Sequence, residues 1–123
     1  MRRSDVAART GTMRLEILQV PDCPNVGLLE QRIAQAVAGE SINLTITHRV
    51  LDDPAAAADA GMTGSPTLLV DGEDPFANPG LTPSVSCRLY PVEGGGVDGA
   101  PSAVALRAAL HLPPVEEPVV PSA

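Results

Sequence analysis

The chain reads as a single α/β domain: a four-stranded mixed sheet with helices on both faces. Three observations predict this. Stretches with period-two apolar alternation take turns with stretches of helical spacing, in the order β-α-β-α-β-β-α. The first strand, helix and strand suit a right-handed crossover between parallel strands. The last two strands follow each other with no helix between them, which suits an antiparallel pair and a closing helix packed back on the sheet. The length of 123 residues is that of one domain, and 44% of it is apolar.

Each element has its own local signal. RLEILQV, residues 14–20, alternates through Leu15 and Ile17, with Leu18 and Val20 adding apolar character, and predicts a strand. PDCPN is a turn-rich break. NVGLLEQRIAQAVAG, residues 25–39, has Val26, Leu29, Ile33, Ala36 and Val37 at helical spacing, with Gly39 to close it. INLTITHRVL, residues 42–51, puts Ile42, Leu44, Ile46, His48 and Val50 on one side of a second strand. In DDPAAAADAGM, residues 52–62, Asp52 or Asp53 caps a helix, Pro54 suits its first turn and Gly61 stops it. TLLVDG, residues 67–72, and SCRLYPV, residues 86–92, read as the last two strands, joined by the turn-rich residues 73–85. PSAVALRAALHL, residues 101–112, is a final helix opened by Pro101. The folded domain is then residues 13–112. A polar, aperiodic lead covers residues 1–12, and an extended, proline-rich acidic tail covers residues 113–123.

Composition excludes several function classes. The net charge is −7, which argues against a nucleic-acid partner and against an anionic membrane surface. No apolar run approaches the length of a membrane span, and the N-terminal residues lack the apolar core of an export signal. Two cysteines, Cys23 and Cys87, are too few for a secreted disulfide framework, so free thiols in the cytoplasm are expected. With His48 and His111 they show no zinc spacing, and no metal is expected. His48 reads as a core or edge residue of its strand. Gly94, Gly95 and Gly96 lack the Lys and Ser/Thr of a phosphate loop and read as a flexible connection.

Two segments stand out chemically. In GMTGSPTLLVDGE, residues 61–73, a proline abuts an apolar strand. In VPDCPN, a cysteine sits at the start of a helix, where unpaired N–H groups and a partial positive charge favour a thiolate. The neighbouring Asp22 opposes that effect. Cysteine is a poor cap compared with Ser, Thr, Asp or Asn, so Cys23 is either a reactive thiol or merely a small residue at a helix start. If residues 67–71 pair antiparallel with 86–90, Thr67 lies opposite Tyr90 and Cys87 opposite Val70. That register keeps Cys87 too far from Cys23 for a disulfide. Cys87 is then a buried strand cysteine, or a second thiol if residues 73–85 shift the register.

Gly61, Met62, Gly64, Pro66, Thr67, Leu68, Leu69 and Gly72 resemble the segment around the cis-proline of the thioredoxin-like superfamily. The resemblance spans residues 13–112. It implies that the Ser65–Pro66 bond is cis and that this loop faces the first helix N-terminus. Cys23 matches the family's exposed nucleophilic cysteine, Val26 stands where the buried resolving cysteine would be, and Asp22 replaces a tryptophan. The implied activity is that of a monothiol redox protein. Its catalytic residues would be Cys23, Asp22 and Pro66, and its substrate-binding residues Pro24, Asn25, Ser65 and Thr67. The Ser65 backbone would pair with a bound strand. The partner would be a thiol or disulfide, small molecule or protein, with glutathione or another low-molecular-weight thiol as co-reactant. The DCPN…SPT…SCRLY arrangement is also similar to bacterial sequences labelled alkylmercury lyase, an activity that uses two cysteines and an acid. Cys23, Cys87 and Asp22 supply those residue types. A third reading is a non-catalytic binding module on the same fold.

Overall fold

The computed structural model describes residues 12–113. The expected lead and tail lie outside these residues, except for Thr12 and Pro113. The element order is β1 (Thr12–Gln19), α1 (Asn25–Ala36), β2 (Asn43–Val50), α2 (Pro54–Ala60), β3 (Thr63–Ser65), β4 (Thr67–Val70), β5 (Ser84–Cys87), β6 (Tyr90–Pro91), β7 (Val97–Asp98) and α3 (Ala103–Ala109).

A mixed three-stranded sheet, ordered β2-β1-β4, forms the centre. β1 pairs parallel with β2 and antiparallel with β4. The alternation of β1 divides the core in two. Leu15 and Ile17, with Leu68 of β4, pack against Val26, Leu29, Ile33 and Ala36 of α1, Leu106 of α3 and Leu110 at its C-cap. On the other face Leu18 and Leu69 meet Ala57 of α2, Leu51 and Met62. Each buried Leu or Ile contributes about 1.5–3 kcal/mol by leaving water. The shorter α2 leaves part of this second face bare. There Arg14, Glu16, Thr45, Thr47 and Asp71 line an open cleft of about 350 Å³.

Local signals account for the helices. Asp53 caps α2 by accepting the Ala56 N–H through Oδ1 at 2.9 Å, Pro54 opens it, and Gly61 ends it at φ +85°. Ser102 caps α3 by accepting from the Ala105 N–H. α1 has no side-chain cap, and Pro24 stands at its N-cap. No helix among the described residues is long and apolar enough to cross a membrane.

The second half departs from expectation. Residues 84–87 do not pair with β4. They run parallel to β3, with Thr63 beside Ser84 and Ser65 beside Cys87, so the main sheet has three strands rather than four. The expected register fails because the outer side of Val70 is taken. Val70 N–H donates to Glu73 O at 2.7 Å and Glu73 N–H donates back to Val70 O at 3.0 Å. Residues 73–83 are also long enough to carry the chain across to β3, as a parallel pairing needs. SCRLYPV splits at Arg88 and Leu89, and Tyr90–Pro91 instead pairs with Val97–Asp98 in a small hairpin. The apolar side of β2 is less covered than its alternation suggested. β2 is the outer strand, Ile46 and Val50 are exposed, and His48 reaches back over the face to Glu30 Oε2 at 2.7 Å.

Candidate functional site

The site is built where β1 ends. Pro21 and Asp22 form a turn, with Asp22 at φ +57°, a conformation Asp tolerates better than most residues. The turn delivers Cys23 to the start of α1, half-buried, against the core under that helix. The Cys23 carbonyl accepts from the Val26 N–H at 3.4 Å and opens the first helical turn. The Asp22 side chain is exposed and does not cap α1. Asn25 lies over Gly99, where an added Cβ would fall 2.4 Å from the Asn25 Cγ. The chain leaving the β6–β7 hairpin therefore flanks the helix start. Arg32 secures it by donating to Ala100 O at 3.0 Å and to Asp98 Oδ2 at 2.7 Å. The same hydrogen bond from Arg32 holds the Asp98 carboxyl below the usual carboxylate range, helped by the Gly99 N–H.

The loop bearing Pro66 is held from three sides. The Ser65–Pro66 peptide bond is cis, and Ser65, Pro66 and Thr67 are buried. Ser65 Oγ accepts from the Val20 N–H at 3.0 Å, three residues before Cys23. Thr67 Oγ1 donates to Gly64 O at 2.6 Å and accepts from the Thr63 N–H. The Tyr90 hydroxyl donates to Pro66 O. Burial pushes the Tyr90 phenol well above its ordinary range; Arg88 opposes the shift and Asp74 adds to it.

Behind the loop lies a group that sequence reasoning did not weigh. Arg88 is 4% exposed. Its guanidinium donates to Asp74 Oδ2 at 2.8 Å, Thr63 Oγ1 at 3.0 Å and Phe76 O at 2.8 Å, and stands 4.6 Å over the Tyr90 ring. Phe76 meets Tyr90 edge-on at 5.6 Å. The available signal was the pairing of Arg88 and Tyr90, the chain's sole tyrosine, on one apolar stretch.

Two expectations are corrected here. Cys87 is exposed rather than buried, and it stands beside Ser65 rather than opposite Val70. In β5, paired with β3, Ser86 and Cys87 meet solvent, while Val85 packs against the second core. The Ser65 carbonyl is also engaged, accepting the Arg88 N–H at 3.0 Å, so it is not open to pair with an incoming strand. Ser65, Pro66 and Thr67 are thus buried, while Asp22 and Pro24 are exposed on either side of the half-buried Cys23. Cys23 and Cys87 are both free thiols. Among the described residues, no three His, Cys, Asp or Glu side chains are gathered to hold a metal ion. No family model, curated protein or solved structure matches the chain.

Proposed function

We propose that the protein is a thioredoxin-like monothiol exchange protein of the cytoplasm, with Cys23 as its attacking sulfur. The observation that carries this reading is the Ser65 Oγ to Val20 N–H hydrogen bond, which ties the buried proline loop to the turn bearing Cys23. A half-buried thiol at the mouth of a twelve-residue helix, beside the exposed Pro24, suits attack on a small disulfide. The Cys23 thiol gives its proton to solvent, and the thiolate attacks one sulfur of the disulfide. A Cys23 mixed disulfide forms while the other sulfur leaves as a thiolate and takes up a proton. A second molecule of external thiol then attacks the mixed disulfide. It restores the Cys23 thiol and carries away the bound half as a new disulfide.

Competition between the two thiols tests this directly. The full chain is exposed to glutathione disulfide, and adducts are mapped by peptide mass spectrometry. Cys23 forms the mixed disulfide at least roughly tenfold faster than Cys87, although Cys87 is the more exposed. Cys87→Ser leaves the Cys23 rate unchanged. Equal rates, faster reaction at Cys87 or no adduct at Cys23 would overturn the reading. Loss of the Cys23 reaction in Cys87→Ser would transfer the case to two-thiol chemistry of the organomercurial type, tested by release of mercuric ion.

A further inference from the structure

Strand β2 ends the main sheet, and nothing among the described residues pairs with its outer side. It runs for eight residues, NLTITHRV, with no proline or glycine and in unbroken register with β1. The Leu51 N–H donates inward to Gln19 O. By the alternation of a parallel ladder, the odd-numbered residues of β2 turn their main-chain groups to β1. Leu44, Ile46, His48 and Val50 therefore aim their N–H and C=O groups outward. Ile46 is 36% and Val50 56% exposed. Natural sheet edges are usually blunted by a proline, a bulge or a charge. The two ionisable residues of β2 do not serve that purpose. His48 is turned to Glu30, and Arg49 to Glu16 at 3.2 Å, both within the same chain.

We propose that β2 pairs antiparallel with β2 of a second copy, joining the two three-stranded sheets across a two-fold axis. Outward-pointing residues must meet outward-pointing residues, which restricts the register to even sums of residue numbers. One register engages all of Leu44, Ile46, His48 and Val50: Leu44 pairs with Val50, and Ile46 with His48. It covers Val50, the most exposed apolar side chain of the strand, with Leu44 of the other copy. The axis then passes between the two Thr47 side chains, a non-hydrogen-bonded pair with Cβ atoms about 4.5–5.5 Å apart. Charge does not close this edge: the chain carries −7, but β2 contains no acidic residue, and its Arg49 is paired with Glu16 of the same chain.

The test is sedimentation of the full chain over a range of concentrations, combined with cysteine cross-linking. The wild type sediments at twice the 12.6 kDa chain mass. Ile46→Pro removes one outward N–H without touching the β1 ladder and shifts the equilibrium to monomer. Thr47→Lys, an exposed change that sets like charges opposite each other, weakens association several-fold. In a Cys23→Ser, Cys87→Ser background, Thr47→Cys cross-links under mild oxidation, whereas Thr45→Cys, whose neighbour is Arg49, does not. A monomer at every concentration would overturn the proposal. So would a dimer indifferent to Thr47→Lys, or one in which Thr45→Cys cross-links as readily as Thr47→Cys.

Discussion

Removing the Asp74 carboxylate is the most direct probe of what holds β5 against β3. In Asp74→Ala the Arg88 guanidinium, with only 3% of its side chain exposed, keeps its charge and loses its counterion. Breaking a buried pair from one side costs about 3–5 kcal/mol, because the remaining ion is left without compensation. Thr63 Oγ1, Phe76 O and the Tyr90 ring stay in place as acceptors, and Asp74 itself is 12% exposed, so the low end applies. The expected loss is about 3 kcal/mol, or a fall in Tm of about 14 °C for a domain of this size. Urea unfolding followed by far-ultraviolet circular dichroism measures it, since the chain has no Trp and a single Tyr. The paired replacement Arg88→Met with Asp74→Leu costs less than Asp74→Ala alone, because neither charge then needs desolvation. A loss below about 1 kcal/mol for Asp74→Ala is what a surface pair gives, and would refute the account of Arg88 as a buried anchor.

Two further outcomes concern the same region. Gly64→Ala places a Cβ 2.7 Å from the Arg88 Cβ and 3.1 Å from its Cα, at φ +119°, so neither backbone nor side chain yields cheaply. A loss of about 2 kcal/mol or more in thermal or urea unfolding is expected. Tyr90→Phe leaves the buried Pro66 carbonyl without its donor and costs about 1–2 kcal/mol at neutral pH. The Tyr90 phenol is held neutral in the fold, so its contribution is fully present below the ordinary value of 10.0 and is lost as pH rises beyond it. Wild type therefore loses stability above about pH 10 more steeply than Tyr90→Phe, which urea midpoints at successive pH values will show.

The parts of the fold legible in the sequence are those whose causes are local. Asp53, Pro54 and Gly61 fix α2 by acting within a few residues of one another. Leu15 and Ile17 mark β1 by alternation alone, and their burial follows from its central place. The partner of residues 84–87 was not legible. It depends on Glu73 filling the outer side of Val70 and on Arg88 reaching Asp74, Phe76 and Thr63, contacts that no periodicity encodes. Counting strand residues from an assumed antiparallel pair therefore carried Cys87 to the wrong strand. The same limit applies to the site. VPDCPN and GSPT are recognisable as turn chemistry, but the bond between Val20 and Ser65 spans 45 positions. Nor does alternation tell an outer strand from an inner one, so β2 looked as well covered as β1.

Arg107 carries a practical implication for handling the molecule. It is 7% exposed, and it gathers the Ala36 carbonyl, the Glu40 carboxylate and the Pro113 carbonyl around one guanidinium. Residue 113 is thereby moored at the far end of α1, about 18 Å along the helix axis from the sulfur of interest. A probe attached at residue 113 therefore sits at the opposite pole of the helix from the thiol and leaves its approach open.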